Sequence, residues 1–197
     1  MPKRCSWVSN SPLYEHYHDS EWGRPTYDDQ QLFEMLMLEL MQSGLSWLTV
    51  LKKRDALRTA FASFNWESLA RFTEEDVARL KEMKAIIRHE GKIRAILTNA
   101  AVARKLANEH GSFARFIWSF APNKQDNLSE QAIALSKALK SAGMAFVGPT
   151  TCQSFMEAAG LVNSHEQGCY LYQPEVVGKC RQPPLTKLFR ALVCLLG

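Results

Sequence analysis

Asp28-Asp29-Gln30-Gln31-Leu32-Phe33-Glu34-Met35-Leu36-Met37-Leu38-Glu39-Leu40-Met41-Gln42-Ser43-Gly44-Leu45-Ser46 is the stretch that decides the fold class. Asp28 and Gln31 make an Asp-x-x-Gln pair of the kind that starts a helix, and Phe33, Leu36, Met37 and Leu40 follow at helical spacing. Ser43-Gly44-Leu45-Ser46 reads as a turn, so this helix should end near Gln42. Ser46 is then placed to cap a second helix through Leu48, Leu51, Leu57 and Phe61. The same periodicity continues outward. Thr73-Glu74-Glu75-Asp76 opens a helix carrying Val77 and Leu80, and a break near Lys84 leads to a long one with Ile93, Ile96, Leu97, Ala100 and Leu106. Segments 113–120, 129–142 and 150–159 are also helical in pattern, with Gly143 and Gly160 as C-terminal stops. Alternating strand patterns, internal repeats and low-complexity tracts are lacking, so the expected class is all-α.

The 197 residues suit a single two-lobed domain, with 46% hydrophobic and 22% charged residues, an ordinary globular balance. The periodic core runs over about residues 28–160, flanked by terminal segments of about 1–27 and 161–184 and a tail of unassigned role at 185–197. No apolar run approaches the roughly 18 residues a membrane span needs. The basic start Met1-Pro2-Lys3-Arg4-Cys5 is not followed by an apolar stretch, so no secretory signal and a cytoplasmic location are expected. A net charge of +4 permits polyanion binding without demanding it. The five cysteines, at 5, 152, 169, 180 and 194, suit reduced thiols or metal ligands better than a disulfide framework.

The two ends differ from the middle. Residues 1–27 hold Cys5, Trp7, Tyr14, His16, Tyr17, His18, Trp22 and Tyr27; residues 163–184 hold His165, Cys169 and Cys180. Neither shows the apolar periodicity of a core, so something else must hold them down. His165-x-x-x-Cys169 is a tight pair spaced for one metal, and Cys5 with His18 would complete a Cys2His2 set. Thiolate with imidazole suits Zn2+, and four protein ligands leave no open position for a catalytic water. His16 and Cys180 are rival ligands on spacing alone, and scattered unrelated residues are the bland alternative.

Glu39 lies in an otherwise apolar stretch, where an unpaired carboxylate either finds a donor or faces a cavity. Trp47 follows at the head of the next helix, and Tyr14, Tyr17, Trp7 and Trp22 crowd the N-terminal segment. A carboxylate among flat rings is what a planar, cationic, hydrogen-bond-donating heterocycle requires. An exposed Glu39 among core aromatics is the competing reading. Lys52-Lys53-Arg54 and Arg88-His89-Glu90-Gly91-Lys92-x-Arg94 supply basic clusters, the second just after a helix break, where a hairpin can aim backbone N–H groups at a DNA phosphate.

These residues resemble the bacterial 3-methyladenine DNA glycosylase I (Tag) family. The matching blocks are Arg4-Cys5-x-Trp7, Pro12-Leu13-Tyr14-x-x-Tyr17-His18-Asp19-x-Glu21-Trp22-Gly23 and Leu32-Phe33-Glu34-x-Leu36-x-Leu38-Glu39. Further blocks are Gln42-x-Gly44-Leu45-Ser46-Trp47-x-Thr49-Val50-Leu51-Lys52-Lys53-Arg54 and Ile86-Ile87-Arg88-His89-x-Gly91-Lys92-Ile93. Phe146-Val147-Gly148, Ser154-Phe155-Met156 and Gly160-Leu161-Val162-Asn163-x-His165 complete the set. The resemblance implies a helix-hairpin-helix glycosylase fold with its hairpin near residues 84–88, and one structural Zn2+ held by Cys5, His18, His165 and Cys169, which selects His18 over His16. It implies a base pocket made by Glu39, Tyr17, Trp47 and Tyr14, with Trp7 and Trp22 nearby, and a Gln42-Ser43-Gly44-Leu45 turn pressed into the duplex. Arg88 and Lys92 are expected to contact DNA. The implied activity is hydrolysis of the N-glycosidic bond of 3-methyladenine after base flipping, on alkylated double-stranded DNA, by a monomer.

The sequence departs from the family pattern at Leu40 and Met41, where relatives carry small or polar residues, and at Ala85, where the hairpin usually has Gly. Nothing around Asn108-Glu109-His110 resembles the catalytic Asp of other helix-hairpin-helix glycosylases. No lysine falls among the matched pocket residues, so a Schiff-base lyase step is not expected. A non-catalytic lesion-binding protein of the same fold is the alternative function, and a metallohydrolase with catalytic zinc is disfavoured by the four side-chain ligands.

Overall fold

The structure is a computed structural model that describes residues 2–9, 11–123 and 126–173. The tail at 185–197 and the rival ligand Cys180 lie outside the described residues. Nine α-helices and one short 3-10 turn are seen among the described residues, and no strand. In order they are α1 (Pro12–Ser20), α2 (Asp29–Gln42), α3 (Trp47–Ala60), the 3-10 turn Ala62–Phe64, α4 (Trp66–Leu69) and α5 (Glu74–Glu82). α6 (Glu90–His110), α7 (Phe113–Trp118), α8 (Leu128–Ala142) and α9 (Pro149–Ala158) follow. No helix among the described residues is long and apolar enough to cross a membrane.

α2 is the central element, packed against α3, α6, α7 and α9. Every residue from Leu36 to Met41 is buried, the mark of a helix enclosed on all sides. Its start is the expected one, with the Asp28 carboxylate accepting from the Gln31 N–H at 2.8 Å. Ser46 likewise caps α3 by accepting from the Thr49 N–H at 3.2 Å. Thr73 and Asp76 form a capping box at the head of α5, satisfying two backbone donors that would otherwise be orphaned. Gly143 ends α8 in the left-handed region at φ 110°.

Leu40 and Met41 are fully buried in the core, so these two departures from the family pattern are packing changes. Ala85 is absent from the positive-φ residues, which are Ala62, Ser63, Phe64 and Phe146 besides glycines. The backbone there is compatible with a side chain and the Gly-to-Ala difference stores no strain.

The N-terminal segment, which lacks the apolar periodicity of a core, nevertheless contains a helix. Residues 12–20 form α1, with Pro12 at its first turn, where a missing N–H is harmless, and with Tyr17 and His18 turned inward. The segment that follows is bound to the end of α9: Gly23 N–H donates to Ala158 O at 3.1 Å and Thr26 N–H to Ala159 O at 3.3 Å. Gly160 makes this approach possible. A Cβ there would stand 2.4 Å from the Pro25 nitrogen, and its φ of +72° also excludes most side chains.

Candidate functional site

Helices α1, α2, α3 and α9 border an open cavity of about 380 Å3. Glu39 from α2, Tyr14 and Tyr17 from α1, Trp47 from the first turn of α3, and Trp7 and Trp22 from the N-terminal segment all line it. The sequence-predicted pocket residues are thus brought together. Glu39 is 6% exposed, and its carboxyl has no hydrogen-bond or ion-pair partner among the described residues. Burial, with Glu157 nearby, pushes it up to about 8. A carboxyl in that state is neutral at pH 7 and ready to ionise when a cation arrives. Trp47 supplies the second orphan, since its buried indole Nε1–H has no partner. Tyr17 stands 5.2 Å from Trp47, ring centroid to ring centroid, with the planes tilted by 50°. An unpaired carboxyl and an unpaired indole N–H beside aromatic faces describe a site waiting for a flat polar ring.

The cavity also holds residues the sequence reading did not place there. Ser154 and Glu157, from α9, line it. Only the packing of α9 against α2 puts them there. A smaller cavity of about 230 Å3 shares Tyr17, Glu39 and Trp47 with the first. Its wall is charged but internally paired: Arg54 binds Glu21 at 2.5 and 3.0 Å, and Arg58 binds Glu34 at 2.7 Å.

The turn expected to enter DNA lies at the cavity mouth. Gln42 lines the cavity, Gly44 has φ +79°, and Leu45 is 42% exposed although apolar. Ser43 and Arg88 are both exposed. Lys92 departs from expectation. It is 5% exposed, and its ammonium donates to Met41 O at 3.0 Å and Ser43 O at 2.5 Å. An ammonium turned inward onto two carbonyls is not a surface phosphate ligand. It ties the turn to the first turn of α6. Lys53 does similar work for the segment between α5 and α6, donating to Lys84 O at 3.2 Å and Ala85 O at 2.9 Å.

Behind the aromatic wall, Cys5, His18, His165 and Cys169 converge. One ligand atom from each lies within 4.8 Å of the others, and all four residues are buried. The Cys5 Sγ to His165 Nδ1 distance is 3.5 Å, Cys169 Sγ to His18 Nε2 is 3.4 Å, and Cys169 Sγ to His165 Nδ1 is 3.7 Å. The other nitrogen of His18, Nδ1, meets Asp19 at 2.8 Å. Arg4 holds that carboxylate in turn with bonds of 2.7 to 3.1 Å, keeping it well below the usual range. A carboxylate on the far nitrogen fixes the histidine tautomer and orientation. Burial lowers the His165 imidazole and raises the Cys5 thiol to about 11. This group could hold a metal ion. The rival His16 is exposed and, among the described residues, its side chain meets Ser20 at 3.3 Å and Glu21 at 4.0 Å.

The family model of methyladenine glycosylase matches residues 7–172. The chain belongs to the methyladenine glycosylase family. Among family members it is 47% identical to DNA-3-methyladenine glycosylase 1 of Escherichia coli strain K12, over 86% of this chain and 97% of that one. A crystal structure of 3-methyladenine DNA glycosylase I superposes with a TM-score of 0.81 at 48% identity, covering 87% of this chain and all of that one. The glycosylase I of Staphylococcus aureus, solved to define its 3-methyladenine recognition, superposes at 0.80 with 39% identity over 85% and 95%. The matched residues include every residue lining the cavity and three of the four cluster residues, His18, His165 and Cys169, with Cys5 two residues before them.

Proposed function

We propose that this glycosylase hydrolyses the N-glycosidic bond of 3-methyladenine in alkylated double-stranded DNA. The observation that carries the reading is the buried, unpartnered Glu39 in an aromatic cavity of about 380 Å3, the size class of small-molecule sites. The hairpin of a helix-hairpin-helix fold is assigned to the segment between α5 and α6, whose exposed cations include Lys84 and Arg88. The core of residues 28–160 and the tied ends work as one two-lobed unit, acting as a monomer.

The target nucleotide leaves the stack and its base enters the cavity, while Gln42, Ser43, Gly44 and Leu45 fill the gap in the duplex. Lys92 acts as a positioning residue that holds this turn through Met41 and Ser43. A base methylated at N3 carries a positive charge, so its arrival favours ionisation of Glu39, whose proton passes to solvent. The carboxylate then accepts from the exocyclic amino group; guanine presents a carbonyl oxygen at that position and is repelled. Tyr17, Trp47 and Tyr14 stack on the charged ring, with Trp7 and Trp22 behind them. The base departs with the electrons of the C1′–N bond and becomes neutral, so no protein acid has to protonate it. Water adds to C1′ of the oxocarbenium-like sugar and releases a proton to solvent. The loss of ligand charge returns Glu39 to its neutral state and loosens the product. With no lysine among the cavity residues, a Schiff-base lyase step is not part of this reading.

The Cys5, His18, His165 and Cys169 cluster fits one zinc ion. At metal–sulfur and metal–nitrogen lengths of about 2.3 and 2.0 Å, tetrahedral geometry asks for S–N separations of about 3.5 Å. The three separations of 3.4 to 3.7 Å support that fit. Bound there, zinc supplies a cross-link between the N- and C-terminal segments and no open position for substrate.

The test is release of free bases from methylated duplex DNA, resolved by chromatography, with Glu39→Ala alongside. Prompt release of 3-methyladenine, with 7-methylguanine left in place and the variant inactive, is the expected result. DNA binding without base release would instead assign the fold a lesion-binding role.

A further inference from the structure

The base cavity contains a second carboxyl that the reading above does not use. Glu157 projects from α9 across the cavity from α2. Its Oε1 accepts from Gln153 Nε2 at 3.2 Å, and Gln153 in turn accepts from Ser129 of α8 at 3.3 Å. Those two contacts brace the carboxyl on its own helix and leave it facing the cavity. Glu39 provides an independent pointer to a ligand, being more than nine-tenths buried and unpartnered there.

We propose that Glu157 is a second base-reading residue, which together with Glu39 tunes the cavity to purines bearing a positive charge. The inference rests on the proposed glycosylase function and names the property of the substrate it selects. No Lys or Arg side chain is among the cavity's lining residues. The nearby cations are engaged elsewhere. Arg54 and Arg58 pair with Glu21 and Glu34 in the adjoining cavity that Glu39 also lines, Arg24 of that cavity donates to the Asp19 carbonyl at 2.7 Å, and Lys92 of α6 is bound to the Met41 and Ser43 carbonyls. The other titratable groups facing the two carboxyls are the phenols Tyr14 and Tyr17 of α1, and burial pushes Tyr17 well up, out of reach of neutral pH. Two carboxyls, Glu39 buried and Glu157 partly buried, therefore line one cavity whose described wall holds no Lys or Arg. Burial raises Glu157, and Glu157 adds to the elevation of Glu39. A cationic ligand supplies the missing counter-charge and favours the ionised form of each. A neutral damaged base, such as a deaminated purine, receives no such gain. An N-alkylated purine cation does, and this favours it over unmodified adenine of nearly the same shape.

The experiment compares two probes of matched shape, the fixed cation 3,9-dimethyladeninium and neutral 9-methyladenine. Affinities are read from tryptophan fluorescence between about pH 6 and 9 in wild type, Glu157→Gln and Glu157→Asp. The wild type should prefer the cation increasingly as pH rises. Glu157→Gln should cut the cation-to-neutral affinity ratio about tenfold at pH 8 and move the pH midpoint downward. Its affinity for the neutral probe should stay within about twofold, and Glu157→Asp should restore most of the ratio. A ratio and midpoint unchanged in Glu157→Gln would overturn the assignment, as would an equal loss for both probes. If Glu157→Gln does not fold, Asp and Asn at the same position make the same comparison. Base release by the wild type is measured in parallel. A wild type that releases 3-methyladenine while Glu157→Gln keeps its charge preference sinks only the role of Glu157. A wild type that releases no base sinks the glycosylase reading itself.

Discussion

Trp22 stands edge-on against His165, with ring centroids 4.7 Å apart and planes at 89°. One ring lines the base cavity and the other belongs to the Cys/His cluster, so the two sites share a wall. Trp7 reinforces it, 5.0 Å from Trp22 and 5.4 Å from His18. Whatever holds the cluster together also sets the position of the aromatic residues behind the base. Removing the proposed zinc with a chelator, or replacing Cys169 with Ser, should therefore lower both stability and base affinity. Losing a structural metal costs several kcal/mol, which at roughly 2–4 °C per kcal/mol in a chain of this size is about 10 °C or more. Metal content, melting temperature and a titration with 3-methyladenine check this together. Metal-free protein with an unchanged melting temperature and affinity would separate the two sites.

Glu39→Gln should trade recognition for stability. The folded carboxyl ionises near pH 8 because it is buried beside Glu157, whereas the unfolded one ionises near the ordinary glutamate value of 4.5. Between those values the folded state holds more protons, so this group's stabilising contribution is present below about pH 4.5 and is lost as pH rises toward 8. The Gln variant is spared that loss. Its melting temperature should exceed that of the wild type by an amount that grows from about pH 5 and levels off near 8. Base affinity should fall at least about tenfold, with metal content unchanged. Calorimetry across pH and free-base binding are the measurements, and equal base affinity in the two proteins contradicts the proposed role.

Trp47→Phe isolates the unpaired indole N–H. A buried donor without a partner costs about 1–3 kcal/mol, so removing it while keeping an aromatic face should leave the free protein as stable or slightly more so. If the Nε1–H serves the bound base, affinity for 3-methyladenine should drop about three- to tenfold. A thermal melt and a binding titration run on the same sample test both halves.

Lys92→Met and Arg88→Ala should weaken DNA binding in different ways. Arg88 is exposed, and losing one phosphate contact should reduce the salt slope of binding by about one. Lys92 is turned onto Met41 O and Ser43 O, so its loss should loosen the turn while the slope stays the same. Base release from duplex should then fall more than affinity for free base. Binding isotherms at several salt concentrations discriminate between them, and a reduced slope in Lys92→Met would return that lysine to the DNA surface.

The linear pattern carried much of this architecture. Helix starts at Asp28, Ser46 and Thr73 were legible because capping is local chemistry, decided within four residues. The apolar run around Glu39 raised the choice between a buried carboxylate and an exposed one, which only the fold decided, and the Cys5, His18, His165 and Cys169 set could be assembled from ligand type, one spacing and the family resemblance. α1 was not legible, because its inward residues are Tyr17 and His18, which carry weak hydrophobic signal and are buried by the aromatic and Cys/His clusters they join.

Other features came only from the folded chain. Lys92 sits in a basic cluster in the sequence, and nothing local shows that its ammonium turns inward to Met41 O, 51 residues away. Glu157 stands 118 positions from Glu39 in the chain and meets it only because α9 packs on α2. The sequence by itself determined the main helices, several of their caps, and the residue types of the Cys/His cluster and of the carboxyl-bearing aromatic segment, since each rests on residue identity and short-range periodicity. Tertiary structure decided which charges are buried, which are paired and which share a cavity. Those properties depend on desolvation and distance among groups far apart in the chain.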